Sequence, residues 1–201
     1  MPPPPYDRLS AQPQAAALLA LLRAGEQSAG AAFDRIAHRL SPGQMVLAAP
    51  DLAQLVADER RHDAVLAAHA EVLPVTAVGD AATRRFFRRL ESRETCVHLA
   101  RVATLDACVC QVLSRVLAAP VQEFLNPSLI EALWGIRRDE GRHVRVTRRL
   151  ALEFDIETAR FRQIGFEVRA EFASLLLSRA PAFEALGVDS TALIARVRRD
   201  G

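Results

Sequence analysis

The feature that most constrains this chain is a five-residue pattern that occurs twice. Asp58-Glu59-Arg60-Arg61-His62 and Asp139-Glu140-Gly141-Arg142-His143 both read Asp-Glu-x-Arg-His, 81 residues apart. Glycine, proline and asparagine punctuate the chain sparsely, and the segments between them carry helical periodicity. On a helix, a Glu and a His three positions apart leave the same face about one turn apart, so both reach one metal ion. A carboxylate with an imidazole forms a mixed oxygen and nitrogen site suited to iron or manganese. Two copies of the unit therefore call for two helices brought face to face around metal.

The punctuation divides the chain into helices, and nothing in the pattern suggests strands. A first helix over about 11–40 has the apolar stripe Leu18, Leu19, Leu22, Ala29, Phe33 and Ile36, with Glu26 inside it. Ser41-Pro42-Gly43 breaks it. A second helix, about 44–73, carries Leu52, Leu55, Leu66 and Leu73 beside Glu59 and His62, and Pro74 ends it. Residues 74–80 connect, with Asp80 as an N-cap. A polar piece over about 81–93 precedes a buried helix, about 94–118, in which Leu99, Val102, Ala103, Cys110 and Leu113 surround Asp106. Pro120 and Asn126-Pro127 bracket a loop, and Pro127 suits a first helical position. The fourth core helix spans about 128–154. Helices over about 157–180 and 189–199 pack outside the core. Residues 1–10 read as a disordered proline-rich tail, 11–154 as the core bundle and 155–201 as C-terminal accessory helices.

Two further carboxylates stand where a two-metal site needs them. Glu26 to Glu59 is 33 residues with a turn midway, and Asp106 to Glu140 is 34 with a loop midway. Each pair returns to one height in an antiparallel hairpin, at ~1.5 Å per helical residue. Both Glu26 and Asp106 interrupt apolar stripes, and a buried carboxylate is costly unless paired or bound to metal. Glu94 is the rival to Asp106, 12 residues earlier and on a more polar face. His38 and His98 have no partner at ligand spacing, and His69 lies two turns from His62. All three read as surface or half-buried side chains. The expected metal ligands are Glu26, Glu59, His62, Asp106, Glu140 and His143.

Composition narrows the setting. No apolar run approaches the ~18 residues that span a bilayer, and the start lacks a signal-peptide pattern. Cys96, Cys108 and Cys110 form no even framework, which indicates free thiols in a reducing cytoplasm. The formal net charge is +2, and every Lys/Arg position is arginine. The arginine pairs, scattered among acids, read as solvated helix surface rather than a nucleic-acid footprint.

On these motifs the chain resembles the ferritin-like diiron-carboxylate superfamily over roughly residues 15–153. Its paired segments are similar to those of bacterial multicomponent monooxygenase hydroxylases. The resemblance implies an all-α, four-helix bundle with a lengthwise crossover between the second and third core helices. It makes Glu26 and Asp106 the single-helix ligands, although relatives usually place Glu at the second position. It also implies that Asp58 and Asp139 each hold the histidine of the opposite repeat, with Arg61 and Arg142 paired to those aspartates. The cofactor would be two iron ions, with Mn/Fe or Mn also compatible, and O2 the co-substrate.

Within that superfamily the sequence lacks several specialisations. The only tyrosine is Tyr6, so no buried tyrosyl radical is available, and no Cys-x-x-Cys pair exists for a rubredoxin-like centre. Ile136 stands where arylamine N-oxygenases carry an extra histidine. The complete two-histidine set favours an O2-activating oxidase or oxygenase with an organic substrate and an electron donor. The alternative is a ferroxidase or iron-handling protein, and a third reading is a regulatory relative without turnover. A homodimer is compatible with either enzyme. Cys110, one turn after Asp106, is expected to point into the pocket, or else to be a small buried hydrophobe.

Overall fold

The computed structural model describes residues 8–70, 81–118, 120 and 125–199, with side chains from residue 13 onward. Among the described residues it is all-helical, with no strand. The helices are α1 (Arg8–Ala37), α2 (Pro42–Ala70), α3 (Ala81–Leu90), α4 (Thr95–Val116), α5 (Pro127–Glu153), α6 (Thr158–Leu177), α7 (Ala180–Ala185) and α8 (Ser190–Arg199). The Pro74 stop and the Asp80 cap fall outside the described residues. Arg8–Ser10, expected in the tail, instead open α1.

Local chemistry sets the breaks. Gln44 N donates to Ser41 Oγ at 3.4 Å while Ser41 N donates to Gln44 Oε1 at 3.1 Å. This reciprocal capping box, with Pro42 at the first position, starts α2 two residues earlier than expected. At α5, Asn126 accepts from Ser128 N at 2.9 Å and Pro127 occupies the first turn, as the sequence predicts. The short helix α7 is not foreseen. It ends where Gly187 takes a φ of 74°, a left-handed value that favours glycine, while Val188 N bonds back to Phe183 O.

Helix directions follow from three ion pairs between α2 and α5: Asp51 with Arg149, Asp58 with Arg142, and Arg61 with Asp139. As the α2 number rises the α5 number falls, so the two repeat-bearing helices run antiparallel. α1 packs antiparallel on α2, and α4 on α5. α2 and α4 therefore point the same way, so Ala70 and Thr95 lie toward opposite ends of the bundle. α3 packs on α1, α4 and α6.

α6 and α8 cover α4, while α7 contacts α1 and α8. By length and composition α4 could cross a membrane, contrary to the expectation that no segment comes close. Its most apolar window is 67% buried inside the protein, so core packing accounts for that composition. Leu99, Ala100, Cys108 and Leu113 of α4 are wholly enclosed, among the innermost of the core.

Candidate metal centre

The six carboxylate and imidazole side chains expected as ligands are all buried, each 5% exposed or less. Glu26 comes from α1, Glu59 and His62 from α2, Asp106 from α4, and Glu140 and His143 from α5. Ligand atoms of Glu26, Glu59, His62 and Glu140 lie within 4.8 Å of one another, as do those of Asp106, Glu140 and His143. Glu140 belongs to both sets. Glu59 Oε1 also lies 3.1 Å from His143 Nδ1, so it too reaches between the sets.

The imidazoles are oriented from behind. His62 Nε2 is 3.2 Å from Asp139 Oδ2, and His143 Nε2 is 3.4 Å from Asp58 Oδ2, each across to the opposite repeat. Arg61 donates to Asp58 at 2.7 Å and to Asp139 at 2.6 Å, and Arg142 donates to Asp58. The inner Nδ1 atoms face the carboxylates: His62 Nδ1 is 3.0 Å from Glu26 Oε2 and 3.6 Å from Glu140 Oε1. Gln54 adds a donor to Asp58 at 3.0 Å that the sequence analysis misses. Its position four residues before Asp58, on the same helix face, is the signal that could have found it.

The electrostatics of the cluster are unbalanced. Burial first, then the Glu26 and Glu140 carboxylates, hold Glu59 well above the ordinary carboxylate range. Burial and Glu26 do the same to Asp106, and burial with Asp106 and Glu26 to Glu140. Burial pulls His143 down to about 4. For His62 burial acts downward as well, but bonding to Glu26 and Asp139 outweighs it and the net shift is upward. Asp58 shows the opposite balance to the inner carboxylates. Burial would raise it, yet the donors Arg142, Arg61 and Gln54 hold it well below its usual value.

Metal fits this arrangement on two grounds. Asp106 Oδ2 is buried without a hydrogen-bond partner, and His143 Nδ1, although 3.1 Å from Glu59 Oε1, makes no hydrogen bond with it, a costly condition unless something else takes their lone pairs. Arg61 and Arg142 are committed to the outer aspartates, so the four inner carboxylates face only the two imidazoles and no arginine. Two divalent cations would cancel four carboxylates and leave both imidazoles neutral, as ligation requires.

An apolar cavity of about 40 Å³ opens onto the cluster. Leu18, Leu22 and Gly25 of α1, Phe87 of α3, Leu105 and Val109 of α4, and Phe172 of α6 wall it, with Glu26, Glu59, Asp106 and Glu140 at its end. Cys110 is a correction to the sequence reading. It lines a separate surface pocket with Ser114 and Arg137, and its thiol donates to Arg137 O at 3.6 Å. On α4 the cavity is met three residues after Asp106, by Val109, so the one-turn offset picks the neighbouring face. Burial, and then the Asp106 carboxylate, push the Cys110 thiol up to about 11, which disfavours the thiolate that a nucleophile needs.

The other candidates fall where they cannot ligate. Glu94 precedes α4, exposed and paired with Arg160 at 2.9 Å. His38 is exposed and His69 half-buried. His98 is buried rather than superficial, and its Nδ1 accepts from Ser92 N at 3.2 Å. No family model, no curated protein and no solved structure matches this chain.

Proposed function

We propose that the chain is a ferritin-like dimetal-carboxylate enzyme that uses two iron ions and O2 to oxidise an organic substrate. The supporting observation is the convergence of six buried ligand side chains from four helices, with Glu140 common to both halves. Glu26 and His62 would hold one ion and Asp106 and His143 the other, with Glu59 and Glu140 reaching both. When bound, the pair supplies the redox chemistry that no side chain offers. Asp58 and Asp139 fix the histidine rings with Nδ1 inward, and Arg61 and Arg142 keep those aspartates ionised at neutral pH. The leucine, valine and phenylalanine walls exclude water from the carboxylates and admit an uncharged, apolar guest.

The second reading is a ferroxidase without organic substrate. It draws on the small size of the cavity, which has room for a few waters or for O2. Against it, those apolar walls are poor company for a hydrated cation in transit. The deciding experiment loads the protein anaerobically with ferrous iron, measures stoichiometry, and then follows O2 uptake. An oxygenase stops after the bound pair is oxidised unless electrons are resupplied, whereas a ferroxidase continues with excess ferrous iron. Failure to bind about two ions per chain would sink both readings.

A further inference from the structure

On the other side of α4 from the apolar cavity, α4, α5, α6 and α8 enclose a groove of about 410 Å³. That is the size of a small-ligand site. Thr104 and Ala107 of α4 face the groove, whereas Leu105 and Val109 face the cavity. Five arginines line it: Arg148 from α5, Arg162 and Arg169 from α6, and Arg198 and Arg199 from α8. No carboxylate lines it among the described residues.

Several arginines elsewhere pair with carboxylates, as in Arg35 with Glu91, Arg60 with Asp34 and Arg160 with Glu94, and others donate to backbone oxygens, as Arg39 and Arg101 do. None of the five groove arginines pairs with a carboxylate among the described residues. Arg169 lies across Gly165, so close that a Cβ there would sit 3.2 Å from its Nη1. Its Nε is buried and has no hydrogen-bond partner. Two aromatic rings border this charge. Phe161 lies beneath Arg148, 5.6 Å from its guanidinium carbon, and Phe166 is 69% exposed.

We infer that this groove binds a nucleoside diphosphate. The planar fork of arginine matches phosphate oxygens in pairs, and several such forks around one groove suit two linked phosphates better than a single carboxylate. The exposed Phe166 ring supplies a face on which a base stacks. A nucleic-acid strand fits less well, because it needs a series of stacking platforms along an open track, and the lining of this groove offers one exposed ring, Phe166. The site is independent of the metal centre, so it stands or falls separately from the proposed oxidase activity.

Calorimetric titration of the full chain at physiological salt tests the inference, with adenosine diphosphate, pyrophosphate and adenosine as probes. Adenosine diphosphate should bind, pyrophosphate about tenfold more weakly, and adenosine not measurably. Arg169→Gln and the surface variant Arg198→Gln should each weaken the diphosphate about tenfold or more without changing metal content or helicity. Phe166→Ala should remove the advantage of the nucleoside diphosphate over pyrophosphate. The inference is overturned by an absence of diphosphate binding, by binding that survives both arginine changes, or by a single-stranded oligonucleotide that outcompetes the diphosphate through the same residues.

Discussion

His62 and His143 face each other with ring centroids 5.8 Å apart and planes inclined by 28°. Each turns Nδ1 toward the inner carboxylates and Nε2 toward the aspartate of the other repeat. The pair embodies the symmetry of the repeated motif, but its two halves are electrostatically unequal. Asp58, behind His143, is 1% exposed, while Asp139, behind His62, is 25% exposed. One histidine is therefore held in a drier setting than the other.

Removing one ring should remove one ion. His62→Ala is expected to lower metal content from about two ions per chain to about one, and His143→Ala to do likewise at the other position. Elemental analysis after anaerobic loading reads this directly. Full occupancy in both variants would place the metal elsewhere.

The unequal aspartates give a graded expectation. Asp58→Asn removes the charge that orients His143 and anchors both Arg61 and Arg142, and should weaken metal binding by about 10–100-fold. Asp139→Asn acts at a wetter position, where water can replace part of the lost bond, and should cost less. Competitive titration with a chelator would rank the two, and an equal or reversed ranking would show that burial does not set the strength of this support.

The buried carboxylate and histidine cluster is legible in the sequence because one short pattern appears twice and helical geometry fixes the height of its partners. Glu26 and Asp106 are found from chain distance to a turn together with their place inside apolar stripes, and the antiparallel hairpins honour that distance. Directions of side chains around a helix are less secure. Cys110 and Val109 differ by one position and by about 100° of rotation, and only packing decides which meets the cavity. Asp58 and its Gln54 donor belong to the same local logic and were within reach. The basic groove was not, because Arg148, Arg162, Arg169 and Arg198 come from three helices and look like ordinary solvated charge until tertiary structure gathers them.

The pH dependence of the metal-free protein carries a definite sign above about pH 6.5. Glu59, Asp106 and Glu140 have raised folded values, as does His62, so the native state holds more protons than the unfolded one. Their stabilising contribution is present at low pH and is lost as pH rises through those folded values. His98 and His143 act oppositely, both lowered by burial, but their effect is confined below 6.5, where the unfolded histidines begin to protonate. Thermal melts of chelated protein between about pH 6.5 and 8.5 should therefore shift downward as pH rises, and added divalent metal should flatten the trend while releasing protons. A melting temperature that climbs over that interval without metal would contradict the cluster's charge state.

Asp106 separates coordination from coincidence. Its side chain is 4% exposed and its Oδ2 lacks a hydrogen-bond partner, whereas Glu94 is exposed and tied to Arg160. An aspartate reaches one methylene less than a glutamate, so it suits a terminal role on the ion shared with His143. Asp106→Ala should lose that ion and abolish O2 reactivity, and Asp106→Glu should retain part of both. Without metal, Asp106→Ala should raise the melting temperature, because it removes a buried carboxyl group whose Oδ2 has no hydrogen-bond partner. Glu94→Ala should keep full metal content and change stability by no more than about 0.5 kcal/mol, as expected for one exposed ion pair. Metal stoichiometry and melting curves on the three variants test both halves. Intact metal content in Asp106→Ala together with loss in Glu94→Ala would require α4 to present a different face to the bundle.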